Sequence, residues 1–328
     1  MSISLKKEKT LERESRQDKA LNFIAAGVAC YAFSLLDELG ILEPLLNGKG
    51  LTPDFFRAYP NPLVVRTAIQ TLECNGIVFL DEKVFKLTSF GDSLAKHRSS
   101  IGLIYKGYCK ALSDQVKIAQ DQPLTDWSLA DEKAISKASS HLGEKFFNDK
   151  LLAILKKHSI NGTICDLGCG DASTLLYLCR KSKLSGLGFD FSSLSIATAK
   201  NKLNLNDKIV LVNKDITKIT KVYPEVKVLI QSFVMHDFSN SVCKKVLKSL
   251  RKCFPNAKLF LYVDAVSPEN NNLSQLPGFD YVHSLFGIQP RTFEQTSKLL
   301  AESDFHIINQ EPISGLTNCY IWTLRLFK

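Results

Sequence analysis

The chain has 328 residues, 45% apolar and 23% charged, which allows two domains with their own cores and is too apolar for a disordered polymer. Lysine and arginine outnumber the acids 42 to 33, a net charge of +9, but the basic residues are dispersed and their densest group (Lys244, Lys245, Lys248, Arg251, Lys252) reads as the solvated face of one helix. No apolar run reaches the roughly 18 residues of a bilayer span, no secretory signal opens the chain, and nine cysteines without a Cys-x-x-Cys pair suggest buried thiols in a reducing cytoplasm.

Residues 17 to 38 form a helical stretch too apolar all round for the surface of a monomer, so a neighbouring domain or a second subunit is expected to cover it. Leu39-Gly40-Ile41 closes it. Thr52 and Pro53 then read as the N-cap and first turn of another helix, and residues 61 to 74 as a third. Residues 76–80 and 83–87 alternate around Asp81-Glu82 as a hairpin. Helices followed by a hairpin suggest a winged-helix module. Its recognition helix offers Arg66 and little else to a phosphate or a base edge, which is thin for a groove reader. Residues 101 to 135 continue as helices, with a loop at Leu124–Asp131.

From residue 163 the pattern changes. Thr163 to Leu167 is β-prone, Gly168-Cys169-Gly170 is a turn, and Thr174 to Cys179 is helical. Strand, glycine turn and helix together let a nucleotide lie on backbone at the strand's carboxyl end. Asp166 and Asp171 would repel a pyrophosphate there but suit the sulfonium and ammonium of S-adenosylmethionine. The second reading of Asp171 is that it favours a helix N-terminus. Residues 183–190 make a second strand ending in Asp190, twenty residues after Gly170, where a carboxylate can accept both ribose hydroxyls. A third strand (210–215) ends in Asp215, placed for an adenine amino group. A fourth (226–236) runs to His236. After a helix at 241–252 come a fifth strand (258–264), a polar loop at 267–277, a helix at 292–302 and a terminal hairpin.

In order and spacing, the glycine turn and the two strand-end acids resemble the class I S-adenosylmethionine-dependent methyltransferases. The resemblance implies an α/β, Rossmann-like seven-stranded domain. It adds Phe191, Ile216 and Ser232 to Asp166, Gly168, Gly170, Asp190 and Asp215 as cofactor contacts. The apolar helix, the Leu-Gly-Ile turn, the Leu-Thr-Pro helix start and the Lys86–Asp92 wing resemble the dimerisation domain of small-molecule O-methyltransferases. The expected layout is therefore a winged-helix dimerisation domain over 1–115 and a methyltransferase domain over 116–328. The expected state is a cytoplasmic homodimer acting on a small molecule, with no nucleic-acid or membrane partner.

The acceptor site belongs at the ends of the fourth and fifth strands. There His236-Asp237 followed by Phe238 resembles the active-site segment of dimeric O-methyltransferases, in which the histidine is the base and a strand-five acid, here Asp264, steadies it. That family carries a further acid before an Arg-Thr pair, but Pro290 precedes Arg291-Thr292 in this chain. The departure fits a second resemblance, to the metal-dependent C-methyltransferases of α-keto acids. It implies that His236, Asp237 and His283 hold a divalent ion, iron or zinc, that polarises a keto oxygen. In the other reading His283 is an ordinary pocket or core histidine. Arg291 either holds an acceptor carboxylate or binds the backbone of its own loop. Metal-assisted C-methylation is the leading expectation. The alternatives are histidine-base O-methylation and a nucleic-acid-binding winged-helix protein on a methyltransferase fold.

Overall fold

The computed structural model describes residues 2–120, 127–268 and 278–326. Most of the polar loop expected at 267–277, and the start of the loop expected at 124–131, lie outside the described residues. The chain divides into two compact units, Met1–Lys106 and Gly107–Lys328.

In the first unit a helix runs over Ser2–Glu38. A second helix, Pro62–Cys74, starts with Asn61 accepting the Val64 N–H and buries Val65, Ala68, Ile69 and Leu72 at helical spacing. A hairpin of β1 (Val78–Asp81) and β2 (Val84–Leu87) turns at Glu82 with φ +53°. Phe33, Leu36, Ile41, Ile69 and Phe85 belong to one core. Two expectations fail here. Pro53–Ala58 is a 3₁₀ turn, and Thr52 makes no side-chain cap bond. The segment Lys19–Glu38 is also long and apolar enough to cross a membrane, with mean hydropathy 1.5. Its leucines, phenylalanines, isoleucine, valine, alanines and cysteine lift the average, but Asn22, Gly27 and Ser34 interrupt them, so no unbroken apolar run reaches that length.

The second unit is built on one sheet in the order β5-β4-β3-β6-β7-β9-β8. Strands β3 (Thr163–Leu167), β4 (Ser185–Asp190), β5 (Ile209–Asn213), β6 (Val226–Ser232) and β7 (Leu259–Ala265) are parallel. β8 (Phe305–Pro312) and β9 (Cys319–Leu326) close the sheet as an antiparallel hairpin. The inner parallel strands β3, β4, β6 and β7 are buried on both faces, so they read as near-continuous apolar runs: all of Leu259–Ala265 is buried, while β5 at the sheet edge is partly exposed. Cys165, Leu229, Phe260, Tyr262 and Trp322 lie in the central core. The order reverses between β3 and β6, and an open α/β sheet offers its crevice at that switch point.

Two strands stop earlier than the sequence suggests. β5 ends at Asn213, because Asp215 accepts the Thr217 N–H and starts a 3₁₀ turn. β6 ends at Ser232, because Phe233 takes φ +58° and turns the chain into the 3₁₀ turn Met235–Asp237.

Candidate functional site

At the switch point the turn after β3 is fastened to the end of β4. The N–H groups of Gly168 and Cys169 both donate to the Phe189 carbonyl at 2.8 Å. Asp190 accepts from Gly170 N–H at 2.8 Å through one oxygen and from Ser192 N–H at 2.9 Å through the other. Gly168 has φ +78°, and a Cβ there would lie 2.4 Å from Val234 Cγ2, so both conformation and space require glycine.

A cavity of about 360 Å³ opens over this turn, and every residue expected at the cofactor lines it, from Asp166 and the two glycines to Ser232. Burial, with the neighbouring Asp190 charge, pushes the Asp166 carboxyl up to about 7. Its Oδ1, and the Oγ of Ser232, are buried with no hydrogen-bond partner among the described residues. Asp215 lines the cavity with one oxygen held by Thr217 and Lys218 3.3 Å away. Asp171 does not line it. Its carboxylate accepts from Ser173 N–H, the Ser140 hydroxyl and Lys202, which bears out the helix-N-terminus reading.

One wall was missed in the sequence. Helix Glu132–Leu142 brings Ser136, Ser139 and Ser140 to the cavity, and Ser136 Oγ accepts the Asp171 N–H at 3.0 Å. Their spacing at i, i+3 and i+4, one face of a helix, is the signal that could have found them. Trp127, stacked on Phe286 at 4.7 Å, and Phe147 are further lining residues.

Asp237 lines the same cavity with His236 and His283 buried beside it. The three can each offer one ligand atom within 4.8 Å of the others. Asp237 Oδ1 stands 3.3 Å from His236 Nε2 and 3.7 Å from His283 Nε2. His236 Nδ1 pairs with Asp264 Oδ1 at 2.5 Å, so Asp264 is where strand five was expected to place a steadying acid. His283 Nδ1–H donates to the Phe279 carbonyl at 2.7 Å, which makes Nε2 the nitrogen that carries the lone pair in the neutral ring. Asp237 Oδ1 and His283 Nε2 are both buried without a hydrogen-bond partner among the described residues. Burial and the charge of His236 push His283 down to about 3, so it is neutral at ordinary pH. Burial also works against charge on His236, but the Asp237 and Asp264 carboxylates outweigh it and raise this histidine to about 9. Burial lifts Asp237 to about 6. Arg291 donates to the carbonyls of Phe238 and Met235 and to Asn240 Oδ1, so it binds backbone, but that of the turn after β6 rather than that of its own loop.

Residues 164–255 match the family model described as a methyltransferase domain. Indolepyruvate C-methyltransferase from Streptomyces griseus is 27% identical over 319 residues, covering 94% of this chain and 95% of the relative. Among solved structures, a mitomycin 7-O-methyltransferase superposes with TM-score 0.71 at 14% identity, over 97% of this chain and all of the other. Human N-acetylserotonin methyltransferase in complex with S-adenosylmethionine gives TM-score 0.70 at 16% identity, over 95% and 98% of the two chains. The sheet order, the glycine turn tied to the acid at the end of β4, and the matching domain lead to one conclusion: the chain is an S-adenosylmethionine-dependent methyltransferase.

Proposed function

We propose that the chain methylates a small α-keto acid at the carbon next to its carbonyl, with a first-row divalent ion held by His236, Asp237 and His283. The observation that carries this reading is the pair of orphaned buried atoms, Asp237 Oδ1 and His283 Nε2, facing one another across 3.7 Å. A buried polar atom without a partner costs about 1–3 kcal/mol, and a cation that both atoms could bind would remove that cost. Two imidazoles and a carboxylate suit iron, cobalt, nickel or zinc. The partners behind them fit as well: Asp264 on His236, and the Phe279 carbonyl on His283, fix each ring as a ligand's outer neighbours do. A divalent ion there would polarise a keto oxygen and make the adjacent C–H more acidic. The S. griseus relative's name supports the acceptor class.

The cavity also fits the methyl donor. Asp190 is already oriented by two backbone N–H groups and keeps lone pairs for the ribose hydroxyls. Asp166, with its unpartnered oxygen, suits the donor's positive charge, while Gly168, Gly170, Phe191, Asp215, Ile216 and Ser232 line the rest. In the helical unit, Leu21, Phe23, Ile24, Val28 and Tyr31 are each more than half exposed, an apolar face that supports a winged-helix dimerisation role. No disulfide links any of the nine cysteines among the described residues, which supports a reducing, cytoplasmic setting.

The His236–Asp264 pair also favours a second reading, in which His236 is the general base of an O-methylation. Incubation with ¹³C-methyl S-adenosylmethionine and indolepyruvate, followed by NMR of the product, separates the two. A methyl bound to carbon is expected. A methoxy signal, or no transfer to this acceptor alongside transfer to a hydroxylated one, would overturn the first reading.

A further inference from the structure

We propose that Arg291 is a positioning residue: its guanidinium fastens the backbone on both sides of the His236–Asp237 pair and so sets where those two side chains stand. Arg291 is 6% exposed, and no carboxylate lies within ion-pair distance of it among the described residues. A buried charge without an ion-pair partner is costly and needs other compensation. Here its partners at hydrogen-bond distance are neutral. One terminal nitrogen donates to the Phe238 carbonyl at 2.8 Å and to Asn240 Oδ1 at 3.3 Å, and the other donates to the Met235 carbonyl. Met235 and Phe238 are the residues immediately before and after His236-Asp237.

The arginine's own position is fixed as well. Its carbonyl accepts the Ser267 N–H at 2.8 Å, just beyond β7, the strand that carries Asp264. Thr292, the next residue, caps helix Phe293–Glu302 in a reciprocal capping box. A planar fork can span two carbonyls from one rigid group, and a lysine ammonium cannot. On the other side of the turn, Cys243 Sγ–H donates weakly to the same Met235 carbonyl at 3.4 Å. The turn follows Phe233, whose φ of +58° is unfavourable for a non-glycine residue, so a clamp at its far end is physically reasonable.

The proposal extends the site reading above but does not depend on its acceptor or its ion. The test is Arg291→Lys, which keeps the charge and removes the fork. In ligand-free protein labelled with ¹⁵N-histidine, the His236 imidazole signals should move or broaden. Meanwhile S-adenosylmethionine affinity should stay within about threefold and Tm within a few degrees. With an α-keto acid acceptor, kcat should fall on the order of a hundredfold, the scale expected of a reacting group displaced by about 1 Å. Unmoved His236 signals would overturn the proposal. So would a kcat within twofold of wild type, or loss of donor binding in step with kcat. If Arg291→Lys fails to fold, Asn240→Ala takes its place, with smaller His236 shifts expected; unchanged signals there would equally overturn it. If wild type transfers no methyl to an α-keto acid, that acceptor is lost and the histidine signals alone decide.

Discussion

Asp190 holds the glycine turn, and in the proposed donor site the same carboxylate takes the ribose hydroxyls, so its removal should have two effects. Asp190→Ala is expected to weaken S-adenosylmethionine binding by roughly 1.5–3 kcal/mol for each charge-assisted bond lost, more than tenfold in Kd by calorimetry. Unchanged affinity would remove this residue from the donor site. Asp166 adds a pH dependence. Its carboxyl sits near 7 because it is buried, with Asp190 nearby, so the anion that suits a cationic donor forms only as pH rises through about 7. Donor affinity should therefore climb across that range in wild type, and Asp166→Asn should lose this part of the climb. Because the folded value lies above the ordinary 3.8, the donor-free protein should also lose stability as pH rises from about 4 through 7. These acids were legible in the sequence because each ends or nearly ends an apolar strand, where spacing alone fixes position. Asp171 and Arg291 were left open, since their partners lie as far as 31 and 56 residues away and only the folded chain brings them together.

At the scale of elements, the glycine turn and the β6 exit depend on each other. Gly168→Ala would force an L side chain into φ +78° and its Cβ into contact with Val234, just after Phe233. The conformational cost alone is about 1–2 kcal/mol, so Tm should fall by several degrees and donor binding with it. A thermal scan showing wild-type Tm would mean that Val234 yields and the turn tolerates the strain. The sequence pattern placed every strand of the large sheet: the inner ones read as apolar runs because they are buried on both faces, and the edge strands β5 and β8 as partly polar, β-prone stretches. It missed where β5 and β6 end. No residue type announces the left-handed turn at Phe233, and the Asp215 cap depends on a local bond to Thr217. The helix over Lys19–Glu38 was legible as too apolar for an uncovered surface. Phe23 and Val28 lie on its exposed face, at 82% and 59%. Light scattering should find the intact chain dimeric at micromolar concentration, and Phe23→Lys with Val28→Lys should shift it towards monomer. A monomeric intact chain would contradict a second copy as the cover.

For the molecule as a whole, the donor crevice follows from sheet order, and the proposed acceptor chemistry rests on three side chains carried by two short segments after β6 and β7. His236 and Asp237 lie on one turn, and His283 lies on helix Phe279–Ser284, reached only after a long connection. The fold is shared with O-methyltransferases, so the choice between carbon and oxygen rests on the site rather than the architecture. One measurement tests this most directly: methyl transfer to an α-keto acid by protein treated with a chelator, then supplied with a first-row divalent ion. The expected result is loss of C-methyl product on chelation and its return with the ion, while His283→Ala stays inactive in both conditions yet binds S-adenosylmethionine normally. Full transfer by metal-free wild type would contradict the metal site and return His236 to the role of general base.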